Sequence, residues 1–537
     1  MKASYALPAE PSLEELRSLR HLHRTLDELL EESLKERESL HQTFDRCLPR
    51  ILELTGARAI AVTTRNEELA EQTWTEGPWG ERHSSILLEE ANGVRPLEDG
   101  TVVTQPLDVV GTQVGSIGLF FAGDHTGVKE SARILRILET VAELLDTVLC
   151  LVHTAAEKQQ LLLQCNQLLS NPVFEVGMDQ AVLALAQRVR LPGFLLLYRD
   201  AVRPQVLHYR TWRHGHLEYE STERPGPHLE RLIQKHGPEL LNRVDGSLRQ
   251  LFGQARGRTS EVVLISGASS SEHLGKIVLW SDEGFSAYTM EIVRLLASGL
   301  SQRLLDYNRE RIHLSQFFRS STIDELLRDP AYANHLRAQD QELGILFADI
   351  NGFTRICEQG FDSPKSIGRF VDEWSAHVVG SIWECGGVFD KMVGDCVIGL
   401  FGPPFFETSL TQRAEAALRA ALEIQQYTAA LSARDEVMEL CKRVELPGLG
   451  VAVGVNLAHA NCGLFGPNRQ YTAFSTGMNQ TARLQSLGGF RETLVMESAQ
   501  QALSQSQEPW VRELKFGPLV ETPVKNVGQP LRYYKVT

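Results

Sequence analysis

The sequence predicts a multidomain protein that combines α/β and α+β folds. The chain has 537 residues, which is too long for one hydrophobic core and corresponds to roughly three or four domains. Two stretches of short strand-like segments are each followed by a long helical pattern, and the stretch from residue 343 onward alternates buried strands with helices. Hydrophobic residues make up 42% and charged residues 23% of the chain, as in ordinary globular proteins.

Charge and composition exclude several classes of protein. The net charge is −14, from 54 Lys and Arg against 68 Asp and Glu, so we expect no nucleic-acid partner. The apolar runs are far shorter than the roughly 20 residues that span a bilayer, and the first residues lack a secretory signal. The eight cysteines form no C-x-x-C pair, which argues against a zinc ribbon or a disulfide framework. We therefore predict a cytoplasmic protein without a membrane span.

The first predicted segment, residues 1–42, is an N-terminal amphipathic helix. The pattern Ser12-x-x-Glu15 after Pro11 is a capping box that marks its start. Leucines then recur on a strongly charged background, at positions 13, 16, 19, 22, 26, 29, 30 and 34. This pattern favours a two-chain coiled coil, and packing of the leucines on their own domain is the alternative.

Two similar domains are predicted to follow, at residues 43–150 and 151–305. In the first, 57–64 and 109–121 have the composition of strands in an antiparallel sheet, and a long helix follows at 129–169. In the second, a helix near 179–190 precedes strands at 194–198, 261–265 and 275–280, and a long helix follows at 285–318. The recurrence indicates a tandem repeat of one architecture.

Antiparallel-sheet modules of this size, joined by long helices, resemble GAF domains, which sense small molecules. The resemblance implies two GAF-like sensor domains with an unknown small-molecule ligand. In GAF domains that bind cyclic nucleotides, an Asp-Glu pair follows a phenylalanine, but Thr289 and Met290 stand at those positions after Phe285. The identity of the ligand therefore stays open. Residues 306–342, which include an amphipathic stretch from Phe317 to Pro330, are predicted to be a helical linker or transducer.

Two motifs in the last segment place aspartates at strand ends. A buried strand that begins at Leu343 ends in Asp349-Ile-Asn-Gly-Phe-Thr. About forty residues later, the tight turn of a hairpin carries Asp395 in the sequence Lys391-Met-Val-Gly-Asp-Cys. Two carboxylates at adjacent strand ends suit a pair of Mg²⁺ ions, and turn capping is the structural alternative for each aspartate.

A third motif, Tyr471-Thr-Ala-Phe-Ser-Thr-Gly-Met-Asn-Gln-Thr-Ala-Arg-Leu484, follows the first two. In order and spacing, the three motifs resemble those of class III nucleotidyl cyclases, over about 343–537. This resemblance implies a ferredoxin-like α/β catalytic domain whose active sites lie between the two chains of a homodimer. It also implies two Mg²⁺ or Mn²⁺ ions per site, bound by Asp349, Asp395 and the carbonyl group of Ile350.

The remaining roles implied by the resemblance concern the nucleotide. Lys391 and Thr476 match the positions that recognise the base, Asn479 matches the residue that orients the ribose, and Arg483 matches the arginine that stabilises the transition state. Lys525 matches a lysine that contacts the outer phosphates in part of the family. Arg469 is nearest to the family's phosphate-binding arginine, but its spacing is offset.

The resemblance predicts an adenylate cyclase that converts ATP to 3′,5′-cyclic AMP and pyrophosphate under the control of the sensor domains. A guanylate cyclase is the nearest alternative, although guanylate cyclases tend to have Glu and Cys where this chain has Lys391 and Thr476. A catalytically inactive pseudo-cyclase that only binds a ligand or partner is the second alternative. The presence of Asp349, Asp395 and Arg483 in one chain argues against it.

Overall fold

The computed structural model describes residues 11–536 except 37, 67–68, 89–92, 110–111, 243–257, 266–272, 282–283 and 525–528. The chain divides into two compact units, Met1–Leu163 and Gln164–Thr537. Among the residues covered by these ranges, no helix is long and apolar enough to cross a membrane.

The described part of the first unit contains a five-stranded antiparallel sheet and four helices. The strands are β1 (Ala59–Asn66), β2 (Leu69–Glu76), β3 (Gly93–Leu97), β4 (Gly100–Val109) and β5 (Thr112–Ala122). The helices are α1 (Leu13–Glu36), α2 (Leu40–Thr55), α3 (Glu81–Leu88) and α4 (Val128–Leu169), the last of which continues into the second unit. The strands lie in the order β2-β1-β5-β4-β3, and every pairing is antiparallel.

The leucines of α1 pack mainly within their own unit. Leu22, Leu26 and Leu30 are buried in the same hydrophobic core as Phe44 of α2 and Trp74 of β2. They are therefore not available for the coiled-coil seam that the sequence pattern favoured. The burial of these three leucines favours the alternative, packing on their own domain, because a leucine stripe has the same spacing whether it packs on a second chain or on its own sheet and helices. Outer leucines of the same helix remain exposed, at positions 13, 16 and 34.

The second unit begins with another five-stranded antiparallel sheet. Its strands are β6 (Gly193–Arg199), β7 (Leu207–Arg213), β8 (His216–Glu220), β9 (Arg258–Ile265) and β10 (His273–Ser281). The accompanying helices are α5 (Phe174–Arg188), α6 (Pro227–His236), α7 (Glu239–Asn242) and α8 (Ala287–Leu314). The order is β8-β7-β6-β10-β9. The predicted antiparallel sheets and long helices are present, and the GAF assignment stays a prediction.

A joint, which we define as residues 315–338, connects α8 to the last sheet and contains α9 (Ser320–Arg328) and α10 (Tyr332–His335). Its apolar side chains are buried, as the amphipathic pattern predicted: Phe317, Phe318, Ile323, Leu326 and Leu327. The backbone N–H of Phe389 and the indole N–H of Trp383 both donate to the carbonyl of Phe317, at 3.0 and 2.8 Å. The joint is thus attached directly to the domain that follows it.

The rest of the second unit is an eight-stranded mixed sheet with helices packed against it. Its strands are β11 (Gln339–Ile350), β12 (Gly387–Val393), β13 (Cys396–Phe401), β14 (Val451–Phe465), β15 (Gln470–Phe474), β16 (Thr493–Met496), β17 (Val520–Thr522) and β18 (Leu531–Val536). The order is β12-β13-β11-β14-β16-β18-β17, with β15 paired to β14. The β14–β16 pairing is parallel and the others are antiparallel.

The helices of this part are α11 (Phe353–Arg355), α12 (Pro364–Glu384), α13 (Leu410–Ser432), α14 (Asp435–Arg443), α15 (Thr476–Leu487), α16 (Glu497–Leu503) and α17 (Pro509–Glu513), with a π-helical turn at Ile356–Gly360. Helices α12 and α13 cover the main core, in which Leu346, Ala348 and Ile350 of β11 alternate with residues on the opposite face. Asp349 therefore points away from α12 and α13.

Candidate active site

The two strand-end aspartates lie next to each other. Asp349 is the penultimate residue of β11, and Asp395 lies in the turn between β12 and β13 after Gly394, whose φ of +65° suits glycine. β11 pairs with β13 up to Ala348 opposite Val397, which brings the turn to the end of β11. The backbone N–H of Ile350 donates to Oδ2 of Asp395 at 3.0 Å. The sheet register thus joins two motifs that are far apart in sequence.

The two carboxyl groups perturb each other electrostatically. Burial, together with the negative charge of Asp349, raises the pKa of Asp395 to about 7. Burial also raises the pKa of Asp349, against the opposing effect of hydrogen bonds with Asp395 and Gln485. Two carboxylates this close repel one another, so the pair favours a shared proton or a bound cation.

The aspartate pair has the chemistry of a magnesium site. Within the described ranges, no group of three or more His, Cys, Asp or Glu side chains could hold a metal ion, so the protein side chains here number two. Mg²⁺ is commonly bound by one or two carboxylates and completes its shell with water and substrate phosphates. Asp349, Asp395 and the adjacent Ile350 backbone therefore fit Mg²⁺ or Mn²⁺ as ligands, and the remaining positions would be left to a phosphorylated substrate.

Helix α15 presents three of the sequence-predicted residues on one exposed face. Its N-cap is Ser475, whose side chain accepts from the backbone N–H of Met478 at 3.1 Å. Thr476, Asn479 and Arg483 are exposed, and their spacing of three and four residues puts them on one side of the helix. The opposite side is buried against β14, through Gly477, Thr481, Leu484 and Gln485.

The exposed face of α15 does not face the aspartates of its own chain. The side chain of Gln485 is close enough to Asp349 to lower the pKa of that carboxyl, and at about 100° per residue Arg483 is directed about 200° around the helix from Gln485. Arg483 and the aspartate pair therefore lie on different sides of α15. Sequence reasoning missed Gln485, since a glutamine within a helix carries no signal except its place on the apolar face.

Lys391 lies beside a carboxylate that the sequence did not single out. A register shift between Phe389 and Lys391 interrupts the pairing of β12 with β13 at Asp390. The Asp390 side chain has no exposed surface, the Lys391 side chain is 40% exposed, and Lys391 Nζ lies 3.7 Å from Asp390 Oδ1. Burial raises the pKa of Asp390 to about 6, while Thr472 and Lys391 act to lower it.

Of the two residues predicted to contact the outer phosphates, the structure describes Arg469. Arg469 is exposed, has a φ of +49°, and lies in the turn after β14, near enough to Tyr332 to affect the pKa of that phenol. The aspartates lie at the opposite end of β14, where Val451 pairs with Ile350. Lys525 lies outside the described residues.

The chain is similar to known nucleotidyl cyclases over its last part. The family model "Adenylate and Guanylate cyclase catalytic domain" matches residues 337–533. A curated adenylate cyclase from Anabaena cylindrica is 28% identical over 152 residues, which span 28% of this chain and 28% of that protein. Most of that relative's length therefore has no counterpart in the match.

Solved cyclase structures are similar over the same share of the chain. The adenylyl cyclase CyaB from P. aeruginosa is 22% identical, with a TM-score of 0.32, and the match covers 38% of this chain and 96% of that one. The guanylyl cyclase Cya2 is 20% identical, with a TM-score of 0.31, covering 37% of this chain and 93% of that one. The assignment depends on the family model, which includes all three motifs: residues 337–533 form a class III adenylate/guanylate cyclase catalytic domain.

Proposed function

We propose that the protein is an adenylate cyclase, which converts ATP to 3′,5′-cyclic AMP and pyrophosphate. The observation that carries the proposal is the contact of Asp349 with Asp395 at two adjacent strand ends of the cyclase domain. Lys391 and Thr476 supply an ammonium and a hydroxyl group at the positions expected to recognise the base. Adenine offers a ring-nitrogen acceptor and an exocyclic amine, which these two groups can satisfy.

The reaction forms a bond between the ribose 3′-oxygen and the α-phosphorus and breaks the bond from the α-phosphorus to the pyrophosphate oxygen. The 3′-hydroxyl proton is released. When bound, Mg²⁺ or Mn²⁺ supplies Lewis-acid activation of the hydroxyl group and neutralises phosphate charge. Asn479 orients the ribose by hydrogen bonding. The planar guanidinium of Arg483 donates to the α-phosphoryl oxygens, where negative charge develops.

The active site is proposed to form between two copies of the chain. Within one chain, Arg483 is directed away from the aspartates, although both must contact the same substrate molecule. A second chain related by a twofold axis can bring its own α15 face to them. Exposed apolar side chains next to the site support an interface there: Val393 is 61% and Phe474 58% exposed.

The sheets that precede the catalytic domain are proposed to regulate it as GAF-like sensors of a small-molecule ligand. A cavity of about 450 Å³ between β7, β8, α5, α8 and α9 supports this proposal. Its walls include Arg210 of β7, in the second five-stranded sheet, and Asp324 of the joint. Arg311 of α8, only 3% exposed, donates to both Asp200 and Asp324. A conformational change in the second five-stranded sheet would therefore be transmitted to the joint through the ion pairs of Arg311.

The decisive experiment is an assay of the 537-residue chain with ATP or GTP, in Mg²⁺ or Mn²⁺, with the cyclic products separated by chromatography and identified by mass. We expect cyclic AMP from ATP and much less cyclic GMP from GTP. A preference for GTP would instead identify a guanylate cyclase. No cyclic product from either nucleotide, in a preparation that binds ATP, would identify a pseudo-cyclase.

A further inference from the structure

The buried carboxylate of Asp390 has no place in the catalytic scheme above. We propose that Asp390 is a positioning residue: it holds the Lys391 ammonium at the base-recognition position and restricts that position to a cation. This inference rests on the proposed function, because it assigns Asp390 to nucleotide selection by Lys391.

The surroundings of Asp390 are poor in compensating groups. The side chain has no exposed surface, and within the described ranges neither of its oxygens has a hydrogen-bond partner. The hydroxyl groups of Tyr471 and Thr472, in strand β15, which lies close to β12 without pairing with it, are also buried without partners. Thr472 is close enough to affect the pKa of Asp390. The residue is thus a buried acid in a pocket of unsatisfied polar atoms.

A buried carboxylate of this kind is costly unless a cation accompanies it. Its ion pair in the structure is with Lys391, whose Nζ lies 3.7 Å from Oδ1. An isolated surface lysine samples many rotamers, but this one is drawn toward Asp390 by charge. The ammonium has three donors, so an orientation toward Asp390 leaves others for a ligand on its exposed side. The lysine is therefore ordered before the nucleotide arrives, which lowers the entropic cost of binding.

The same geometry makes an acidic residue at position 391 unfavourable. Guanine recognition at this position would use a glutamate, and its carboxylate would lie against the buried carboxylate of Asp390. Like charges at this distance repel strongly when desolvated. The substitution Lys391→Glu, even with Thr476→Cys, should therefore fail to give a GTP-using enzyme unless Asp390 is also neutralised.

The first test compares Asp390→Asn with Asp340→Asn. Each substitution leaves the shape of the side chain nearly unchanged. Asp340 is the control because it lies at the start of β11, at the opposite end from Asp349, and accepts a hydrogen bond from the side chain of Asn461 at 2.7 Å. We expect Asp390→Asn to raise KM for ATP about tenfold and to reduce the ATP/GTP preference, with a smaller effect on kcat. Asp340→Asn should change neither quantity. A lower melting temperature for Asp390→Asn with unchanged KM and preference would show a purely structural role and overturn the proposal.

The second test is a double-mutant cycle in a Thr476→Cys background. Lys391→Glu, Asp390→Asn and the combination are assayed with ATP and GTP, and their melting temperatures are measured. The combination should be more stable than Lys391→Glu alone and should use GTP at least about tenfold better. Equal stability and equal GTP use in both would overturn the role of Asp390. Lys391→Ala distinguishes two possible failures. An unchanged nucleotide preference in this variant would show that Lys391 does not recognise the base, whereas a changed preference leaves the role of Asp390 to be decided by the cycle.

Discussion

The strand-end aspartates are the residues on which turnover should depend most directly. Asp349→Ala and Asp395→Ala each remove one of two adjacent carboxylates that fit a divalent cation, so we expect cyclase activity to become undetectable while the circular dichroism spectrum stays unchanged. Asp340→Asn serves again as the matched control. Near-normal activity of either alanine variant at saturating Mg²⁺ would contradict the assignment of these aspartates as metal ligands.

A second buried acid, Asp200, should contribute to stability with a defined pH dependence. Burial would raise its pKa, but hydrogen bonding with His208, the backbone N–H of Arg203 and the charge of Arg311 together hold the pKa well below the ordinary value of 3.8. A lowered pKa in the folded state means that this stabilisation is present above about pH 4 and is lost as the pH falls below it.

Asp200→Asn would leave the buried Arg311 with less compensation, and we expect a loss of about 3–5 kcal/mol in the free energy of unfolding at pH 7. The difference from the wild type should shrink below pH 4. Urea unfolding at several pH values measures both effects. Asp306→Asn, on the same helix as Arg311 but with a side chain that is 52% exposed, should change stability by less than about 0.5 kcal/mol. A pH-independent difference for Asp200→Asn would contradict the electrostatic account.

At the scale of elements, helix α15 has an exposed face that we expect to act in catalysis and a buried face that we expect to stabilise the fold. Arg483 is exposed and Leu484 is buried. We expect Arg483→Ala to lower kcat by about 10²–10³-fold with little change in melting temperature, because its donors act on transition-state charge. Leu484→Ala should instead lower stability by about 2–5 kcal/mol. Assays of activity and thermal unfolding on the same samples distinguish the two. Unchanged kcat in Arg483→Ala would remove the helix face from the mechanism.

At the scale of the whole molecule, a site shared between chains allows complementation. Asp395→Ala and Arg483→Ala chains should each be inactive alone, since every site in either homodimer lacks one group. A mixed dimer contains one site with both groups, so a mixture should recover up to about a quarter of wild-type activity if chains exchange at random. Differently tagged chains, purified in tandem, verify the exchange. No recovery in a verified mixed dimer would indicate that each chain builds its own site.

The long helix α4 is the place to test whether the first unit influences the catalytic domain. An insertion near Arg311 would disrupt the buried ion pairs with Asp200 and Asp324. A loss of activity could then result either from rotation of the helix or from lower stability. Gln159 of α4 is exposed, and alanines inserted after it turn the following segment by about 100° each. We expect cyclase activity to change with one to three alanines and to return toward the wild-type level with four. A flat response across the series would contradict transmission through this helix.

Much of the fold and part of the site could be predicted from local pattern. The spacing of apolar residues predicted the long helices and the antiparallel strands, because burial on one face leaves a periodic record in the sequence. The order of three motifs predicted the catalytic domain and the strand-end positions of Asp349 and Asp395. Leu22 shows the limit: its spacing was compatible with two partners, and only the three-dimensional core distinguished them.

The tertiary structure decided which distant residues meet. The hydrogen bond from the Ile350 N–H to Asp395, the proximity of Gln485 to Asp349 and the burial of Asp390 depend on strand register and on how α15 packs on the sheet. Local sequence does not encode these pairings, because each joins segments whose separate patterns are satisfied by many arrangements. The sequence by itself thus determined the kinds of chemical group available to this protein and the elements that carry them. The fold determined their neighbours, and with them the charge and the exposure that each group has.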